Sequence, residues 1–258
     1  EAIAVNFLFS YISPKHELRA KEILEEEAPG IPISISWDVL PKWKEFERSS
    51  TTIADAYVKP IINDRLSKII EKIGQLVPQA DVAIMKSNGG ETTLEVACEQ
   101  PAQLLLSGPS GGVVATQHVS KANGFDRVMT FDMGGTSSDC AICIDGDVNL
   151  TTDFEVEWGI PVQIPMVDVR TIGAGGGSIA WVDNGGMLQV GPRSAGSRPG
   201  PACYGLGGTE ATVTDANVVL SRIDHNNFLG GKITLDLVAA RTAMKTMGDQ
   251  LSLSVEQT

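Results

Sequence analysis

Apolar residues open the chain in an unbroken run, "AIAVNFLF", which predicts a buried strand. Pro14 follows Ser13, and Leu18, Ile23 and Leu24 then recur among charged positions, the pattern of a capped amphipathic helix. Strand then helix is an α/β start. A short strand at "ISISW" leads to Trp43, Phe46, Ile53, Tyr57, Ile61, Ile69 and Ile73 at near-helical spacing, with Pro60 expected to kink that helix or divide it in two. "DVAIMKSNGG" reads as a buried strand entering a glycine loop, and "ETTLEVACEQ" as a short helix. "PAQLLLSGPSGGVVATQHVSKANGFD" reads as a strand followed by a small-residue helix, whose Gly111 and Gly112 would let it approach another element closely.

Further on, "RVMTF" predicts a strand, "DMGGTSSD" a loop, "CAICI" a strand, "DGD" a tight turn and "VNLTT" another strand. Residues 128–151 are thus expected to form three consecutive antiparallel strands, backed by helices over 51–76 and 109–121. From Asp153 to Thr212 the pattern breaks into short apolar pieces separated by Gly and Pro, a loop-rich β region whose glycine runs are expected to adopt positive φ. Helical periodicity returns at "TVTDANVVLSRI" and "TLDLVAARTAMKTMG". There is no repeat of fixed period.

Composition narrows the class. A chain of 258 residues with 42% hydrophobic content supports a substantial core. A formal net charge of -12 without a Lys/Arg run argues against nucleic acid or an acidic membrane as partner. Four cysteines in no framework spacing, no signal peptide and no membrane-length apolar run make the cytoplasm the default location. The chain starts at Glu1 directly in an apolar run. It ends with Ser254 and Gln257 at capping-box spacing, so it is expected to be the central part of a longer protein.

The loop at 132–139 carries the most chemistry. It lacks the Lys and the following helix of a Walker loop and instead joins two strands. Gly134 and Gly135 allow backbone N–H groups to converge on an anion, Thr136, Ser137 and Ser138 add hydroxyl donors, and Asp132 stands where it could hold a hydrated divalent cation. Such a loop can hold the β- and γ-phosphates of a nucleotide or simply turn a glycine hairpin, and spacing alone leaves both open. Asp168, entering "TIGAGGG", is a candidate for substrate or metal contact. Cys203 in "GPACYG" is either a thiol presented to substrate or a small buried hydrophobe. Asp215 in "TVTDAN" fits a helix cap, and Trp181 fits packing in the β layer. Cys140 and Cys143, three apart on a strand, face opposite ways and form no metal or redox pair; the three histidines lie on separate elements.

"DMGGTSSD" resembles the second phosphate loop of the actin, sugar-kinase and heat-shock-chaperone ATPase superfamily, and "LLSGPSGGVVAT" resembles its first connecting helix. Nearly the whole chain resembles the hydantoinase A and 5-oxoprolinase family, which also contains acetone carboxylase subunits. That resemblance is carried by "SNGG", "TFDMGGTSSD", "TIGAGGGSIAWVD", "GPRSAGSRPGPACYGLGGTEATVTDAN" and "NFLGGKI".

The resemblance implies an α/β fold, an actin-like (ribonuclease H-like) ATPase lobe with a β-rich, glycine-rich insertion. Residues 1–45 would end a first lobe, 46–152 form the second-lobe core with the phosphate loop, 153–212 the insertion and 213–258 the helical continuation. It also implies ATP, Mg2+, a second subunit or domain of hydantoinase B type, and opening of a cyclic amide or imide as in a hydantoinase, N-methylhydantoinase or 5-oxoprolinase. Activation of a ketone for carboxylation is the alternative, and a sugar or acid kinase or a non-enzymatic ATP-binding module the more distant one. Arg170 stands where many members have His after Asp168-x. The first phosphate loop and the adenine-side motif would lie outside these 258 residues, so the isolated chain is expected to bind MgATP weakly and hydrolyse nothing.

Overall fold

The computed structural model describes all of residues 1–258, a mixed α/β chain in two units: Glu1–Thr130 with Ala141–Val169, and Phe131–Cys140 with Arg170–Thr258. In the first unit, β1 (Ile3–Val5) lies parallel to β2 (Ile33–Ile35), with α1 (Lys15–Glu27) as the crossover. Val5, Ile33 and Ile35 are buried against Ala20, Leu24 and Trp37 of the same unit. The opening strand is far shorter than its apolar run, because Phe7 turns its backbone to other partners. Its N–H donates to Glu17 Oε1 (2.8 Å), its carbonyl accepts from Arg48 Nη2 (3.0 Å), and Phe9 sits at φ 60. Leu8, Phe9 and Ile12 are exposed. The cap expected for α1 is also absent, since Pro14 occupies the N-cap position with no side-chain bond, and Leu18 and Ile23 face solvent.

After α2 (Ser36–Val39), α3 runs unbroken over Glu45–Leu76 with Pro60 inside it, so the division expected at Pro60 does not occur. The turns around the proline are held from outside, for α3 packs on β1, β2 and α4 (Leu94–Glu99). β3 (Ile84–Met85) and β4 (Glu91–Thr92) pair antiparallel over only two residues each, rather than forming a longer buried strand. The strand expected at "PAQLLL" is a 3₁₀ turn, Pro101–Leu104. Proline cannot donate into a ladder, and the N–H of Ala102 is taken by the buried Asp55 carboxylate at 3.0 Å. α5 (Ser107–Ala122) forms as expected, but a side chain at Gly111 or Gly112 would meet open space, so neither glycine serves a close approach in this structure.

β5 (Arg127–Met133) and β6 (Ser138–Ile144) are hydrogen-bonded neighbours joined by residues 134–137. β7 (Asp147–Val148) pairs antiparallel with β6 at Cys143 and Ile144. The expected third strand breaks there, because β8 (Leu150–Thr151) leaves to pair with β11 (Met166–Val167), beyond the small hairpin of β9 (Glu155–Glu157) and β10 (Ile160–Pro161). α5 backs β7, whereas α3 packs on the β1–β2 pair.

The second unit contains β12 (Arg170–Ile172), the antiparallel pair β13 (Ser178–Val182) and β14 (Leu188–Ser194), a 3₁₀ turn at Ala202–Tyr204, α6 (Val213–Val219) and α7 (Leu237–Leu251). Its core gathers Cys203, Ala211, Val218, Leu235, Ala240, Met244 and neighbours. Trp181 on β13 sends its indole N–H to the Gly191 carbonyl at 2.6 Å. Near the end, each of Ser254 and Gln257 donates its backbone N–H to the other's side chain, the reciprocal bonds their spacing suggested, inside a turn. No helix is long and apolar enough to cross a membrane.

Candidate phosphate-binding site

The site grows from the β5–β6 hairpin in the second unit. Residues 134–137 close it with a single internal backbone bond, Gly134 N–H to the Ser137 carbonyl at 2.9 Å. Gly134, Gly135 and Thr136 are exposed, as is Asp132 at the end of β5. The N–H groups of Gly135, Thr136 and Ser137 donate to no acceptor in the protein. Three free amides in succession on an exposed turn, with no acidic side chain among those three residues, make an anion nest. Strand β12 fixes the base of the hairpin, pairing Ile172 with Ser138, Thr171 with Asp139 and Arg170 with Cys140, and Thr171 Oγ1 donates to Asp139 Oδ1 at 2.6 Å.

The glycine run that follows β12 wraps the loop from behind. Gly176 N–H donates to the Gly134 carbonyl (2.9 Å) and Gly177 N–H to that of Gly135 (2.6 Å), while Ser138 Oγ donates to the Ala174 carbonyl (2.5 Å). Here the expectation of positive φ fails: Gly173, Gly175, Gly176 and Gly177 all lie outside that region, whereas Gly186, Gly191, Gly196, Gly200, Gly205 and Gly207 are in it. The run is glycine for space. A Cβ on Gly175 would stand 2.7 Å from Ser137 N and from Thr136 C, one on Gly176 2.8 Å from Thr214 Oγ1, and one on Gly177 2.9 Å from the Gly135 carbonyl oxygen. Sequence reasoning noticed the run and assigned it the wrong cause. Its usable signal was position, since β12 brings the run beside the hairpin.

Behind the run stands α6. Thr214 donates through both N–H and Oγ1 to the Gly176 carbonyl, each at 2.8 Å. Asp215, fully buried, completes a capping box with Thr212 and accepts from Ala202 N (3.2 Å), Cys203 N (2.8 Å), Thr212 N (3.0 Å) and Thr212 Oγ1 (2.7 Å). The cap expected at Asp215 is present, and the same carboxylate pins the Ala202–Tyr204 turn. Cys203 is fully buried there, and burial first, then the Asp215 charge beside it, push its thiol well above the usual range. The thiol is thus protonated at neutral pH and packed in the core, which removes the thiolate that nucleophilic use would need.

Asp168 lies in the first unit, half-buried, with its N–H on the Asn149 carbonyl at 2.9 Å. The site residues in the second unit are therefore Asp132 and the loop; Asp168 belongs to a different one. Cys140 is half-buried and Cys143 buried, on opposite sides of β6, and no group of three or more His, Cys, Asp or Glu converges as a metal set. One exposed carboxylate beside an anion nest suits Mg2+, which keeps most of its waters and takes its remaining oxygens from one or two carboxylates and from phosphate groups.

Three buried charged side chains, Arg48, Glu17 and Asp55, escaped the sequence reading altogether. Arg48 donates to Asn6 Oδ1 (2.8 Å), the Lys42 carbonyl (2.6 Å) and the Phe7 carbonyl, and lies over the Tyr11 ring at 5.4 Å. Glu17 accepts from Phe7 N, Ser36 Oγ (2.6 Å) and Trp37 N (2.8 Å). An Arg and a Glu on otherwise charged helices give no sign that they will be the buried ones.

A model of the family described as hydantoinase/oxoprolinase matches residues 48–258. The caprolactamase subunit alpha of Pseudomonas jessenii is 39% identical over 100% of this chain and 37% of its own length. The solved structure of that organism's ATP-dependent caprolactamase superposes with a TM-score of 0.78 at 38% identity, over 99% of this chain and 37% of that one. A 5-oxoprolinase of Dictyostelium discoideum is 32% identical over 98% of this chain and 21% of its own. Nucleotide-free acetone carboxylase gives a TM-score of 0.78 at 31% identity, over 99% of this chain and 36% of that one. The chain thus spans well under half the length of each of these relatives.

Proposed function

Because the chain belongs to the hydantoinase/oxoprolinase family, we propose that it is the central part of an ATP-dependent hydrolase that opens a cyclic amide or imide of the hydantoin or 5-oxoproline type. The observation that carries this is the loop itself: three consecutive N–H groups without protein acceptors, turned out beside Asp132. On this reading the fold is an actin-like lobe with a β-rich insertion at 153–212. Residues 1–45 end a first lobe, 46–152 form the second-lobe core and 213–258 continue it. Gly134, Gly135, Thr136 and Ser137 hold the β- and γ-phosphates, and Asp132 positions hydrated Mg2+, which would neutralise charge on the transferring phosphoryl group. The ring carbonyl oxygen forms a bond to the γ-phosphorus as the bond to ADP breaks. Water then adds to the activated carbon, and the ring C–N bond breaks as the nitrogen takes a proton, leaving an acyl phosphate; a second water cleaves that anhydride, giving the open-chain carboxylate, ADP and phosphate. Asp168 is assigned to the substrate side of this reaction. Cys203 shapes that side through its turn, as a neutral thiol.

Relatives named as subunits support a partner chain for this one as well, and we take it to be of the hydantoinase B type. A second reading, a subunit of an ATP-dependent ketone carboxylase, is favoured by one observation, the equal TM-scores to acetone carboxylase and to caprolactamase. The two separate in one assay on the intact protein with its partner. ADP release that depends on a lactam, hydantoin or oxoproline and needs no bicarbonate marks the hydrolase. Release that needs a ketone and bicarbonate marks the carboxylase, and stable phosphorylation of a sugar or acid would overturn both. In the same assay Asp132→Ala is expected to lower ATP turnover by about 100-fold or more with an unchanged circular dichroism spectrum, since one carboxylate places the cation at an otherwise main-chain site. Activity near wild type would remove Asp132 from that role.

A further inference from the structure

A trans peptide is planar, so its C=O and N–H point in opposite directions. The carbonyl of Gly134 and the N–H of Gly135 belong to one such plane, and the carbonyl of Gly135 and the N–H of Thr136 to the next. Gly176 holds the first of those carbonyls at 2.9 Å and Gly177 the second at 2.6 Å, which turns the two N–H groups the other way. The third plane, Thr136 to Ser137, is where Gly175 packs, close enough that a Cβ would stand 2.7 Å from both Thr136 C and Ser137 N. Two of the three peptides that supply free amides are therefore oriented by a glycine of the run, and the third is packed against one. Thr214, with two bonds to the Gly176 carbonyl, anchors the run in turn.

We infer that Gly175, Gly176 and Gly177 are positioning residues for nucleotide phosphate, Gly176 and Gly177 by holding the loop's carbonyls so that the opposite amides face away from the run and Gly175 by packing against the third peptide, with Thr214 as their anchor. This rests on the reading that residues 134–137 bind phosphate. None of the four touches the nucleotide. Their contribution is that the amides need no rearrangement when the phosphates arrive, so the ordering cost is met in the folded state. The same arrangement explains why the run can be glycine without positive φ.

The test uses the intact protein with its partner and compares MgATP with adenosine, which has no phosphate. Gly173 supplies a matched control in the same run, since a Cβ there meets open space and its φ is ordinary. Gly173→Ala is expected to bind both ligands as wild type does. Gly175→Ala is expected to weaken MgATP at least tenfold while adenosine changes less than twofold. Thr214→Val, which loses the hydroxyl bond and keeps the N–H bond, is expected to weaken MgATP about threefold with adenosine unmoved, and it decides the matter if Gly175→Ala does not fold. MgATP binding that is normal in the variants overturns the positioning role and leaves the phosphate reading standing. Parallel loss of adenosine in Thr214→Val assigns these residues to general structure and also overturns it. Wild-type protein that binds adenosine and MgATP equally sinks the phosphate reading, and the inference with it.

Discussion

The two units solve the same problem, fixing an irregular loop, with opposite materials. In the first, the segment after β1 is held by long charged side chains brought inside: Arg48 and Glu17 take the carbonyl and N–H of Phe7 from either side, and both are fully buried. Asp55 does similar work one layer away, joining Ser34 on β2 (2.7 Å) to the N–H of Ala102, with Lys59 at 3.6 Å. In the second unit the loop at 134–137 is held almost wholly by backbone, through glycines that admit no side chain, and one short carboxylate, Asp215, fixes the turn behind. Long side chains reach across gaps and carry large desolvation costs when buried. Glycine needs no gap, but it tolerates no added atom. A nest of amides presents bare backbone, and a guanidinium beside it would change both its charge and its shape.

The comparison breaks most sharply at Arg48. Replacing it by Ala leaves Asn6 Oδ1 and the carbonyls of Lys42 and Phe7 without their donor and opens a cavity, so stability should fall by about 4 kcal/mol. Arg48→Lys should recover little, because an ammonium cannot match the three directions of the guanidinium fork. Urea unfolding measures both. A loss below about 1 kcal/mol in Arg48→Ala would mean that the buried charge is not what holds the segment.

Asp215→Asn is the matching test in the second unit and should cost less, about 2 kcal/mol, because one oxygen acceptor survives while the amide nitrogen meets donors. Its effect should also be local. Amide exchange should quicken at Ala202, Cys203 and Thr212 and stay unchanged at Phe7. Uniform quickening through both units would show that Asp215 contributes to global stability alone and does not fix its own turn.

What could be read from the sequence divides along the same line. The β5–β6 hairpin, its loop, α5, α6 and α7 were legible because each rests on local signals: alternation, consecutive glycines and helical spacing. The misreadings come from contacts between residues far apart in sequence. "AIAVNFLF" looked like one strand until Arg48, 41 positions away from Phe7, took its carbonyl. "PAQLLL" looked like a strand until Asp55, 47 positions from Ala102, claimed an N–H. At the candidate site, the donor loop could be named residue by residue, but its clamp could not. Four glycines in five residues announce a backbone constraint, and nothing in the spacing distinguishes the need for positive φ from the need for room.

Cys203 offers the smallest effect and the finest test of that second unit. Its thiol is held protonated by burial and by Asp215, well above the ordinary thiol range. In the unfolded chain it ionises near pH 8.5. Between those two values the folded state keeps a proton that the unfolded state has lost. The stabilisation is therefore complete below about pH 8.5 and is lost as pH rises toward the folded value, by at most about 1.4 kcal/mol per pH unit. Cys203→Ala should remove that part of the alkaline slope at a cost near 1 kcal/mol at pH 7, with turnover unchanged. In the wild type, a thiol reagent should label Cys203 about 100-fold more slowly than a free cysteine. Fast labelling at pH 7, or a marked loss of turnover in a folded Cys203→Ala, would return this thiol to the substrate side as a chemical participant. The backbone turn that Asp215 pins would then be presenting a reactive group as well as a shape.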